Sequence, residues 1–238
     1  MGTVHYKPEF WIALRRTFSD GRLGYYEKLA NGSVERAFDL HQWNTRLCET
    51  LHTPLQAFEI VLRNTIDAKI TQSYGRRDWY ADANWLRRWC GDKERFRKTL
   101  DDIRTAAKSL GGGTRLNHDN FIAATSLGLW VQFLSGSYVR LWDEVLRSSF
   151  SGPPERTSLW CTADMVRRIR NRVAHYEPVV GKERGDDLPL NELRSAIIAS
   201  IRLVSWPIAD WVAVSSAGFS QAWSARPDWW NPNRVLRH

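Results

Sequence analysis

Arg170, Asn171, Arg172 and His175 put two guanidiniums, a carboxamide and an imidazole into a six-residue stretch that holds no carboxylate. Such a set suits an anion whose reaction requires a proton to move. Guanidinium binds phosphate oxygens through paired N–H donors, and imidazole exchanges a proton near neutral pH. The phosphodiester of RNA is the obvious biological anion of that kind. Pro178 follows closely and marks the end of the helix that carries the group, because proline cannot continue the hydrogen-bond ladder.

On an ideal helix over 162–177, Met165, Val166, Ile169, Val173 and Tyr176 fall on one apolar stripe that should face the core. Asn171 lies opposite this stripe, and His175 follows it at i+4, so the two are neighbours. Arg170 and Arg172 flank the stripe, and small Ala174 leaves room beside the imidazole. The polar groups therefore project toward solvent, a ligand or a second subunit. The spacing R-x-x-x-x-H alone is a weak signal, since cations near a helix C-terminus also suit the macrodipole.

A second group lies upstream. Thr53 as N-cap, Pro54 at the first helical position and Gln56 form a helix-start signal, with the helix expected to run to about Ser73 and stop at Gly75. Leu55, Phe58, Leu62 and Ile66 make its apolar stripe. Glu59 sits at the edge of that stripe, where a carboxylate needs a partner. Arg63, one turn on, is the nearest candidate for an intrahelical ion pair. Either residue could also reach across to orient Arg170 or His175.

Helical periodicity dominates the rest of the chain, and no convincing strand-like alternation occurs. Helices are expected at about 8–18 and 20–30, parted by Ser19-Asp20-Gly21, then from Ser33 toward Leu51. Others are expected at 92–109, 118–134, 137–149 and 191–214. Gly111-Gly112-Gly113 and Ser151-Gly152-Pro153-Pro154 read as loops, and Gly181 to Pro189 as a charged connection. The expected organisation is one all-α domain over 1–214, with 1–30 as a helical N-terminal extension. An irregular tail over 215–238 completes it.

Composition narrows the partners. The chain has 238 residues and a formal net charge of +8, and Arg far outnumbers Lys. Arg binds phosphate bidentately and stacks on bases, which favours nucleic acid. The 13 Trp recur at helical spacings and fit packing roles better than base-stacking platforms. Cys48, Cys90 and Cys161 are widely spaced with no C-x-x-C, which argues against disulfides or zinc and fits a reducing cytoplasm. No signal peptide is visible before Trp11, and the apolar run Phe121–Leu134 is too short to span a membrane. His5, His41, His52, His118 and His238 are dispersed, and Asp101-Asp102 and Asp186-Asp187 have no His or Cys partners, so no metal or other cofactor is expected. There is no P-loop and no G-x-S-x-G elbow.

Several segments stand in this order along the chain: Arg22-Leu23 with Tyr26; Ala37-Phe38-Asp39-Leu40 with Trp43-Asn44; Glu59 with Arg63-Asn64; Leu127-Gly128-Leu129-Trp130; and Arg170 to His175 with Glu177-Pro178. In this combination the chain resembles the Abi-like (abortive infection) proteins of the HEPN superfamily over roughly residues 20 to 210. It departs from them at Tyr176, where many relatives carry a second His. The resemblance implies a HEPN-type helical bundle whose two antiparallel central helices carry the polar motif. It also implies a metal-independent ribonuclease whose site forms where two motif copies meet, often across a homodimer. Arg170 and His175 would then be the catalytic pair and Asn171 an orienting group. Glu59, Arg63 and Asn64 would support them from the facing helix. Abi-like proteins are associated with defence against bacteriophage, so a toxin whose activity halts the infected cell is implied; an antitoxin, a bound regulatory RNA or a modification could keep it silent.

The chemistry expected is attack of a ribose 2′-OH on the adjacent phosphorus of single-stranded RNA. His175 would move the proton, Arg170 would stabilise the phosphorane, and Arg172, Arg168 or Arg167 would hold flanking phosphates. Two other readings stay open. The arginines could hold an RNA without cutting it, with His175 contacting phosphate only. Alternatively, Asn171 and His175 could satisfy hydrogen bonds in an interface with a protein partner.

Overall fold

A computed structural model describes residues 6–111, 117–152, 154–181 and 189–230. Every regular element among them is helical. The principal helices are α1 (Pro8–Leu29), α2 (Val34–Tyr74), α3 (Ala83–Arg87), α4 (Lys93–Ser109), α5 (His118–Ala124), α6 (Leu127–Phe133), α7 (Val139–Leu141), α8 (Arg156–Ala174), α9 (Leu190–Arg202), α10 (Trp206–Ser215) and α11 (Gly218–Ser224). Short 3₁₀ turns precede α3 and α7, and a wider π turn over Trp142–Leu146 extends α7. No described helix is long and apolar enough to cross a membrane. The expected loop at Gly112-Gly113, Pro153 and most of the Gly181–Pro189 connection lie outside the described residues, as do His5, His238 and Asp186-Asp187.

The chain divides into two compact units. The first comprises residues 1–52, 169–194 and 215–238, and the second 53–168 and 195–214. In the first, Leu23, Tyr26 and Leu29 of α1 are buried, as are Leu40, Trp43 and Leu47 of α2 and Val179 and Val180 beyond α8. In the second, Trp79 is wholly buried and meets Trp130 and Phe133 edge-on, with ring centroids 6.1 and 6.0 Å away. This is the favoured geometry for aromatic quadrupoles and anchors that core.

Several boundaries differ from those expected. The break within the N-terminal helical pair does fall at Ser19, whose backbone (φ 64, ψ 159) is non-helical. Thr53, however, starts no helix. α2 runs unbroken from Val34 to Tyr74 with Pro54 inside it. The reason is continuity of its apolar stripe: Leu47, Leu51, Leu55, Phe58, Leu62, Ile66 and Ile70 are all buried, in phase on both sides of the proline. Pro54 removes one ladder hydrogen bond, which the burial of that stripe outweighs. The end at Gly75 is as expected, with a positive φ of 86° and its N–H bonded to the Thr71 carbonyl.

The single helix expected over 118–134 is two helices. Thr125 Oγ1 donates to the Ile122 carbonyl at 2.6 Å and accepts from Trp130 Nε1 at 2.9 Å, turning the backbone extended between α5 and α6. A local side-chain bond there competes with the helical ladder. The run expected over 191–214 is likewise split before Pro207, and the freed Leu203 carbonyl accepts from the Ser151 N–H. α8 begins at Arg156, earlier than expected, and ends at Ala174 instead of 177. The tail is not wholly irregular either: α11 forms over Gly218–Ser224, its Ala222 carbonyl accepts from Trp43 Nε1 at 2.9 Å, and Trp230 is buried.

Candidate functional site

The last turns of α8 carry Arg170, Asn171 and Arg172, and His175 stands at the helix cap. Met165, Val166 and Ile169 are buried as the stripe requires, which leaves Asn171 and His175 exposed and Arg170 and Arg172 half-buried. Neither His175 nor Arg170 is sealed in the interior.

The expected placement of Tyr176 on the apolar stripe does not hold. The helix stops one residue before His175, and Tyr176 takes the left-handed conformation (φ 58) with 82 % of its surface exposed. Its N–H bonds to the Val173 carbonyl, and the Glu177 N–H reaches back to the Arg172 carbonyl at 2.8 Å. This is a Schellman closure with tyrosine at the position where glycine is usual. The turn therefore holds the residue after His175 in a conformation a side chain resists.

Two residues with no assigned role in the sequence build this helix end. Arg22 Nη1 donates to the His175 carbonyl at 2.8 Å and to the Tyr176 carbonyl at 3.1 Å. A guanidinium thus satisfies carbonyls that a helix C-terminus leaves unpaired, and it complements the negative end of the dipole. Asn44 is buried, and its Oδ1 accepts from the backbone N–H of Val179 at 2.8 Å and, more weakly, of Val180 at 3.4 Å. Tyr25 donates its hydroxyl to the Gly181 carbonyl at 2.5 Å. Arg22 and Asn44 lie more than 130 residues from the segment they hold, so no local spacing could reveal the link.

Arg167 and Arg168 lie in the second unit and share one carboxylate. Arg167 binds Asp164 Oδ1 through Nε and Nη2 at 3.1 and 2.6 Å, and Arg168 Nε binds Oδ2 at 3.2 Å. The side chains are 33 % and 14 % exposed, so Arg168 offers little surface to a ligand. The i,i+3 and i,i+4 spacing from Asp164 was a visible signal for this pairing. Arg167 also lines a cavity of about 460 Å³ with Arg95, Lys98, Gln132 and Trp160.

Glu59, Arg63 and Asn64 also belong to the second unit, on α2. Glu59 and Arg63 are half-buried and Asn64 is exposed. Arg63 Nε donates to Asn64 Oδ1 at 3.4 Å. In the same unit His118 Nε2 meets Asp67 Oδ2 at 2.8 Å, and Trp79 Nε1 donates to Asp67 Oδ1 at 2.8 Å. His118 is thus tied into packing. Among the described residues no group of three or more His, Cys, Asp or Glu comes together in a way that could hold a metal ion.

No protein-family model matches this chain, and no curated protein or solved structure matches it either.

Proposed function

We propose that the protein is a metal-independent endoribonuclease of the Abi-like HEPN type, acting on single-stranded RNA as a toxin in defence against bacteriophage. The observation that carries the reading is the end of α8, where an exposed imidazole and carboxamide adjoin two half-buried guanidiniums. The helix end beneath them is fastened by Arg22. Groups held on a rigid, capped helix keep their geometry without a further ordering cost when substrate arrives.

In the reaction, a ribose 2′-OH loses its proton to one imidazole as its oxygen bonds to the neighbouring phosphorus. The bond from phosphorus to the 5′ oxygen breaks, and that oxygen takes a proton from a second acid. The products are a 2′,3′-cyclic phosphate and a 5′-OH end. Arg170 neutralises charge on the non-bridging oxygens at the transition state, and Asn171 orients His175. Arg172 holds a flanking phosphate, whereas Arg167 and Arg168, already bound to Asp164, contribute background charge. One imidazole cannot be base and acid at the same moment, so the second role falls to His175 of the partner subunit in a homodimer.

The test is incubation of purified protein with end-labelled total RNA in EDTA, followed by mapping of the termini. Cuts ending in cyclic phosphate are expected, and His175→Ala should lower the rate by about 10²-fold or more with an unchanged helical circular-dichroism spectrum. Cleavage that survives this substitution removes His175 from the mechanism. Salt-dependent binding without any cut fragment would leave RNA binding as the function.

A further inference from the structure

We infer that the cavity bounded by Phe18, Arg22, His41, Thr45, Val173 and Tyr176 receives one unstacked base of the RNA whose phosphodiester is presented to His175. This rests on the function proposed above and names the part of the substrate that the first unit would read. The cavity measures about 530 Å³ and lies wholly within that unit, within the size range of small-ligand sites. It abuts the helix end that carries the motif, since Val173 and Tyr176 form part of its wall.

Its chemistry matches a nucleobase better than a phosphate. The walls are mainly apolar, with Phe18 and Tyr176 both offering ring surface to solvent. Protein modules that read single-stranded RNA place splayed bases against aromatic or guanidinium planes. The Arg22 guanidinium is held in place by two carbonyls, so it can border a base as a fixed plane. No acidic residue lines the cavity, so nothing there repels a polyanion.

The titratable groups point to binding, not reaction. Burial pushes the Cys48 thiol up to about 11, so it stays neutral and poorly nucleophilic. Burial, and then the charge of Arg22, holds His41 below its ordinary value. At neutral pH the His41 ring therefore has one donor and one acceptor nitrogen, the pair of roles a base edge demands.

Backbone strain occurs in the cavity wall and next to it in the chain. Only three non-glycine residues among those described have positive φ: Ser19, Asn31 and Tyr176. Ser19 kinks α1 directly after Thr17 and Phe18, and Tyr176 is itself a wall residue. Tyr176 gains little burial in return for its conformation, the pattern expected where a side chain is kept for a ligand.

The experiment uses the full chain and a short single-stranded oligoribonucleotide, 2′-O-methylated throughout so that it cannot be cut. One abasic residue is walked along its length. Wild-type protein should lose affinity by about tenfold or more when the abasic residue occupies one position, and far less elsewhere. Thr45→Trp fills the cavity from an exposed site on α2. It should weaken binding of the intact strand by a similar factor and make the protein indifferent to the abasic residue at that position. Equal affinity at every abasic position, no binding at all, or a Thr45→Trp protein that still senses the missing base overturns the inference. Failure of the ribonuclease reading looks different: the wild type distinguishes the abasic position yet leaves unmodified RNA intact.

Discussion

At the residue scale, Tyr176 and Arg22 decide how His175 is presented. Tyr176 occupies the left-handed region at a helix end, where glycine pays no steric penalty, and most of its ring is in solvent. Tyr176→Gly should stabilise the fold by about 1 kcal/mol in urea denaturation, because the strain of an L side chain is removed and little packing is lost. The same variant should bind RNA less well, since it deletes one wall of the cavity. A gain in stability with unaltered RNA affinity would show that the strained tyrosine serves no ligand. Arg22 acts differently: its guanidinium binds the His175 and Tyr176 carbonyls, which would position His175 for the proposed reaction without taking part in the proton transfers.

At the element scale, α2 supplies acceptors and apolar surface to the first unit. Asn44 is the clearest case, because one buried side-chain oxygen serves the backbone N–H groups of Val179 and Val180 just past α8. Asn44→Ala would strand both donors away from water, and an unmade buried hydrogen bond costs about 1–3 kcal/mol. A loss in that range, shared between the strong and the weak bond, is expected in the denaturation midpoint. An alanine variant as stable as wild type would mean that water replaces the oxygen and that the segment after α8 is held by other contacts. The proline within α2 teaches a related lesson. A local start signal yields to burial when the apolar residues on both sides share one stripe.

At the scale of the whole molecule, only part of the 34 Lys and Arg side chains is open to the proposed RNA. In the second unit, Arg76, Arg97, Arg104 and Arg140 each pair with a carboxylate two to four residues away, and Arg77 pairs with Asp119. Such exposed pairs add little stability, but they neutralise the surface around them. The proposed reaction needs two imidazoles, which makes the assembly testable. Mixing increasing His175→Ala protein into wild type, with time for subunit exchange, should lower cleavage as the square of the wild-type fraction. A linear fall would place both proton transfers within one subunit.

The helical class, the end of α2 at Gly75, the α4 helix and the burial of Leu55, Phe58, Leu62 and Ile66 were legible from periodicity and capping residues, because these depend on neighbours three or four positions away. The grouping of Arg170, Asn171, Arg172 and His175 at one helix end was legible for the same reason. Tertiary structure decided the rest. The continuity of α2 through Pro54 depends on what its stripe packs against, and the split between α5 and α6 depends on Thr125 reaching Trp130. The partnership of Arg22 and Asn44 with residues beyond 174 joins groups far apart in the chain. Sequence spacing encodes contacts along a helix. Contacts between distant helices are set by packing, and that packing made the capped helix end and the cavity beside it.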